Sequence, residues 1–150
     1  MSGALPTLEE VYQRHMRELR TAHGGGRPLV QAVVLPSFHD NVCITVSGGR
    51  IVHVTRQSRR RDAAELKTSR PTIDVADLES LLARIAALRI PPAPSKASGG
   101  LDGVQYQLHF SMGGSSFEES SFSWWHEPPP GWEELGSIVT ELQRLCGLAP

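Results

Sequence analysis

The chain has 150 residues, 39% of them hydrophobic and 21% charged, with a formal net charge of -1. That is the length of one ordinary domain, able to bury a core without disulfide or metal staples and too apolar for a disordered chain. No apolar run approaches the roughly 20 residues of a membrane helix, and the N-terminus MSGALPTLEEVYQRHMRELR lacks a basic region followed by an apolar core, so the expectation is a cytoplasmic protein without membrane contact.

Charge is spread unevenly. Residues 1–96 hold fourteen Lys/Arg against nine Asp/Glu, whereas residues 97–150 hold Arg144 alone against seven acids. Such asymmetry speaks to surfaces and partners rather than to fold. Cys43 and Cys146 lie in no CxxC or Cys/His cluster; the pattern predicts free thiols and no metal site.

Thr7-Leu8-Glu9-Glu10 has the spacing of a capping box. Leu8, Val11, Tyr12, His15, Met16 and Leu19 then recur at the spacing of one helix face. The predicted helix covers 7–23 and stops at three glycines, where continuation is costly. It is a unit that either packs on the domain or docks on a partner.

Pro28 to Leu35 reads as a strand, followed by a turn at Phe38-His39-Asp40-Asn41. Val42, Ile44 and Val46 alternate with Cys43 and Thr45, the period of a half-buried strand. Gly48-Gly49 marks a hairpin, and Arg50 to Arg56 returns with Val52 and Val54 on one side and Ile51, His53 and Thr55 on the other. The stretch 57–71 reads as a flexible polar connection.

Asp74 is the expected N-cap of a second helix, with Ile73 and Leu78 as its hydrophobic staple and Leu78, Leu81, Leu82, Ile85 and Leu88 as its apolar stripe. Pro91-Pro92 ends it, and 91–100 lacks periodicity, as a flexible linker does. Val104, Tyr106, Leu108 and Phe110 then alternate with Gln105, Gln107 and His109, which predicts a sheet with one wet side. Phe117 to Trp125 is the returning strand, with Phe122 and Trp124 sharing a face and Trp125 opposed. Pro128-Pro129-Pro130 leads into a last helix buried through Trp132, Leu135, Val139, Leu142 and Leu145, with Gly147 as its left-handed cap.

The order of elements predicts one α+β domain over 1–150. Its sheet is antiparallel, of four or five strands in the order α, β-meander, α, β-hairpin, α, with the helices mainly on one face.

Chemistry is sparsely marked. His39-Asp40 in a turn, with His53 on the next hairpin, could do general acid–base work in a small hydrolase. No HExxH, CxxC or Gly-x-Ser-x-Gly pattern accompanies them, and a turn histidine beside an Asp capping backbone amides is the more ordinary account of the pair. The glycine pairs sit where hairpin turns are wanted, and none precedes Lys-Ser/Thr as in a phosphate loop. Arg56, Arg59, Arg60 and Arg61, with Lys67 and Arg70, could bind anions, including a nucleic-acid backbone. Aromatics to stack bases are missing from that segment. Trp125 is left over once Trp124 turns inward, and Glu118, Glu127 and Glu133 surround it, an arrangement suited to anchoring a protein partner or a second copy.

The pattern Asp102-Gly103-x-x-Tyr106-x-Leu108-x-Phe110, followed by Trp124-Trp125-x-x-Pro128-Pro129-x-x-Trp132-x-x-Leu135, resembles a recurring type of small bacterial α+β protein that has no assigned activity. The resemblance covers the last third of the chain. It implies a bacterial α+β domain and carries over no catalytic residue, metal ligand or cofactor. The sequence therefore points to a non-enzymatic protein-interaction module, such as a small accessory or immunity-type protein, with no cofactor. Nucleic-acid binding through the Arg56–Arg70 segment is the alternative, and a His39/Asp40 hydrolase a further one.

Overall fold

The period-two runs become strands and the three periodic stretches become helices. A computed structural model of the chain describes residues 5–24, 27–37, 39–48, 50–58, 65–88, 103–110 and 120–148. Its elements are α1 (Leu8–Thr21), β1 (Pro28–Pro36), β2 (Asn41–Ser47), β3 (Ile51–Gln57), β4 (Leu66–Ser69), α2 (Val75–Ala86), β5 (Val104–Phe110), β6 (Ser120–Trp125) and α3 (Glu133–Leu145). The strands form one antiparallel sheet in the order β4-β3-β2-β1-β5-β6. The fold is α+β.

Six strands stand where four or five were expected. The additional one is β4, inside the stretch read as a flexible connection, where Leu66 pairs with Gln57 and Ser69 with Val54. Leu66 alone is half-buried there and the other three residues are exposed, so β4 carries no alternation for a sequence reading to find. Residues 59–64 and 89–102 lie outside the described residues, as does the whole proposed linker 91–100.

Two layers of different character cover the sheet. On one face Val30, Ala32, Val34, Ile44, Val46, Val52, Val54 and Leu108 meet Leu78, Leu81, Leu82 and Ile85 of α2 and Leu135, Ile138, Val139 and Leu142 of α3. Each Val, Leu or Ile among them contributes about 1.5–3 kcal/mol when buried. Phe122, Trp124 and Trp132 extend this core toward the β6 edge, with Trp132 edge-on to both partners at centroid distances of 5.2 and 6.4 Å. The caps are as expected. Asp74 accepts from the Asp77 N–H at 3.0 Å, and Ile73 and Leu78 both join the core. Gly147 at φ 69° closes α3, with Leu148 N–H donating to the Gln143 carbonyl at 2.8 Å and Gly147 N–H to that of Arg144 at 3.0 Å, the bond pair of a Schellman motif.

The opposite face is held by α1 and is largely polar. Thr7 and Glu10 form both halves of the capping box. Only Met16 and Leu19 of the helix are buried, against Val33, Leu35, Cys43 and Leu66. Leu8, expected on the buried face, is 90% exposed and Tyr12 is 37% exposed, because the helix leaves the apolar floor before its first two turns. Glutamines seat the helix instead. Gln31 donates to the Arg20 carbonyl at 2.8 Å and to Thr45 Oγ1 at 3.1 Å, and accepts from Arg20 Nε at 2.9 Å. Gln57 accepts from Asn41 and donates to the His15 carbonyl at 3.3 Å. The N-terminal helix thus packs on its own sheet.

Candidate functional site

The β1–β2 turn, the end of β3 and the C-terminal end of α3 meet around a cavity of about 640 Å³. Antiparallel register explains the convergence. Val34 pairs with Val42 on one side and Tyr106 on the other, and Val42 pairs with Arg56, so these four side chains form one row on the face that α3 covers. His39 and Asp40 come from the turn, Gln143, Gly147 and Leu148 from the end of α3, and Pro36 and Val104 complete the lining. His39, Asp40 and Arg56 are exposed, whereas Gln143 is 9% exposed. The cavity therefore has apolar walls, a buried amide and two opposite charges at its mouth.

Two groups singled out separately in the sequence, His39-Asp40 and Arg56, are brought together here. His53 is not with them. It pairs with Thr45 on the α1 face, and its ring lies 5.9 Å from that of His23. Whether His39, Asp40 and His53 converge is open in the sequence; on β3 an odd number of positions separates His53, facing α1, from Arg56, facing α3, so the sheet stands between His53 and the cavity. Arg56 lies beside Lys67 across the β3–β4 pair, while Arg59, Arg60 and Arg61 lie outside the described residues. No group of three His, Cys, Asp or Glu side chains is placed to hold a metal ion among the described residues.

The tryptophan corner lies at the other side of the sheet. Trp125 ends β6 half-buried, turned to the α1 face, and its ring stands edge-on to His126 at 5.6 Å. Glu127 is exposed beside it. Glu133 opens α3, on the opposite layer, where it accepts from the Gly131 N–H at 2.9 Å. Its own N–H and that of Gly131 hold its carboxyl below the usual range. Glu118 lies outside the described residues. Trp125 and Glu127 are therefore neighbours, and Glu133 belongs to a different surface.

One array went unread in the sequence. On the α1 face of β5 and β6, His109 Nδ1 lies 2.8 Å from Ser121 Oγ and His109 Nε2 3.2 Å from Gln107 Oε1. Gln107 also donates to the Tyr12 hydroxyl at 3.1 Å, and Gln105 donates to Ser123 Oγ at 3.1 Å. The Ser–His pair invites comparison with a nucleophile and its base, but its chemistry is wrong for that. Burial, aided by the positive charge of Arg20, pushes the His109 pKa down to about 4, far below the value that suits a base at neutral pH. A neutral glutamine, not a carboxylate, faces the second nitrogen, and an imidazolium would gain no ion pair from it. The array laces two strands and a helix together. Alternation alone could have placed these polar side chains on one face; their pairing needed the register.

No helix among the described residues is long and apolar enough to cross a membrane. No protein-family model matches the chain, and no curated protein or solved structure is significantly similar to it.

Proposed function

We propose that the protein is a non-enzymatic protein-interaction module that takes up an extended segment of its partner along β6. The observation that carries this reading is the contrast between the sheet's two edges. At one edge β4 is four residues long and presents Lys67, the features that blunt an edge against pairing. At the other, β6 runs six residues as SSFSWW with no charge and no proline. His126 N–H donates to the Val104 carbonyl at 2.8 Å, which fixes the phase of the ladder: the backbone groups of Ser120, Phe122 and Trp124 point to β5 and the N–H groups of Ser121, Ser123 and Trp125 point away. A partner strand added there gains main-chain hydrogen bonds, with side-chain pockets supplying specificity. Trp125, at the end of that edge, is of the residue type that dominates binding energy in such contacts. Glu127 beside it favours a basic partner segment, in keeping with the acidic C-terminal third. A small bacterial accessory or immunity-type protein is the kind of molecule this describes.

The test uses Ser123→Pro and Trp125→Ala. The Ser123 N–H takes no part in the ladder, so proline there blocks an added strand while leaving the β5–β6 pairing intact. Both variants should keep the wild-type circular dichroism spectrum and lose a partner captured by the wild-type chain. A partner that both variants retain would place the interface elsewhere.

A further inference from the structure

The cavity at the end of α3, on the sheet face opposite to Trp125, has the make-up of a small-molecule site. At about 640 Å³ it falls within the roughly 300–1,000 Å³ typical of ligand pockets, which combine apolar walls with a few convergent polar groups. Val34, Val42, Val104 and Leu148 provide the walls. Gln143 provides a polar group between them: it is nine-tenths buried and lines the cavity. A molecule in the cavity could hydrogen-bond its amide.

Charge at the mouth narrows the chemistry. Asp40 and Arg56 both line the cavity, and neither belongs to an ion pair among the described residues. The negative end of the α3 dipole, at Gly147 and Leu148, lies in the same wall and also favours a cation. A purely anionic ligand would meet Asp40 and the helix end, a purely cationic one would meet Arg56, and a purely apolar one would answer neither charge.

We infer that this cavity binds a zwitterion of the amino-acid type carrying a large apolar side chain. Arg56 takes the carboxylate, Asp40 takes the ammonium group, Gln143 bonds the polar end of the ligand, and the valines with Leu148 receive its side chain. The assignment uses the sheet face opposite to Trp125 and stands or falls independently of the β6 interface.

Titration of the full chain, followed by amide resonances, tests it with four probes: L-phenylalanine, the dipeptide leucyl-phenylalanine, 3-phenylpropanoate and 2-phenylethylamine. One of the two zwitterions should cause saturable shifts at Val34, Val42, Gln143 and Leu148, and should bind at least about ten-fold more tightly than either singly charged analogue, the equivalent of one charge-assisted hydrogen bond. Arg56→Gln should abolish the preference over 2-phenylethylamine and Asp40→Asn the preference over 3-phenylpropanoate. Both positions are exposed, so neither change disturbs the core. Absence of saturable shifts with both zwitterions overturns the inference. So does equal affinity for a singly charged analogue, or zwitterion binding indifferent to both substitutions.

Discussion

The imidazole of His126 fills the space that a Cβ on Gly103 would need, so the two residues at the open end of the β5–β6 ladder exclude any side chain at position 103. His126 holds φ 61° and Gly103 φ 130°. The corner is closed by the Gly103 carbonyl, which accepts from the Ser37 N–H and hydroxyl, both at 2.9 Å. Gly103 and His126 thus form one joint between β1, β5 and β6.

Gly103→Ala should destabilise the fold by more than about 2 kcal/mol, through a φ unsuited to a side chain together with the clash. His126→Ala relieves the clash and leaves the φ of position 103 unsuited to a side chain. In the double variant part of the loss should therefore be recovered, and a double-mutant cycle by chemical denaturation should return a coupling energy of about 1 kcal/mol or more. Additive losses would show that the ring and the glycine do not constrain each other.

His109 predicts a pH dependence. Its pKa is near 6.5 when unfolded and pushed down to about 4 when folded. Between those values the unfolded chain binds a proton that the folded chain refuses. Stability contributed by the neutral ring is thus complete above pH 6.5 and declines as pH falls toward 4. Part of the ring reaches solvent, so screening reduces the effect to about 1–2 kcal/mol. Urea midpoints measured from pH 7 to pH 4 should fall for the wild type, with a shallower slope in His109→Gln.

Trp132 Nε1 is buried and has no hydrogen-bond partner among the described residues. Replacement by phenylalanine removes this orphaned donor while keeping a ring against Phe122 and Trp124, so Trp132→Phe should lie within about 1 kcal/mol of wild type, whereas Trp132→Ala should cost about 3–5 kcal/mol. Thermal denaturation of the two variants separates the packing contribution from the polar one.

What sequence could and could not convey follows from the range of each signal. Capping at Thr7 and Asp74, the stripe from Leu78 to Ile85, and the inward turn of Trp124 are all set by residues within a few positions of one another, and all were legible. The burial of Gln31, Gln57 and Thr45 was not, because polar residues are driven inward here by partners far along the chain: Arg20, His15 and Asn41. β4 was missed for a related reason, since Lys67, Thr68 and Ser69 gain their strand only by pairing with β3. The cavity illustrates the limit most clearly. His39, Asp40, Arg56 and Gln143 span more than a hundred positions, and only the register Val34–Val42–Arg56 and the end of α3 bring them to one wall.

α1 is seated largely through its own main chain. Gln31 and Gln57 reach the carbonyls of Arg20 and His15, groups that every amino acid possesses. A helix gripped by its main chain, with Met16 and Leu19 as its buried apolar anchors, can change its outward residues without losing its place. Leu8, Glu9, Gln13 and Arg17 are thereby released from the demands of folding. Variation among related chains should concentrate at those positions, while Gln31, Gln57, Met16 and Leu19 hold constant.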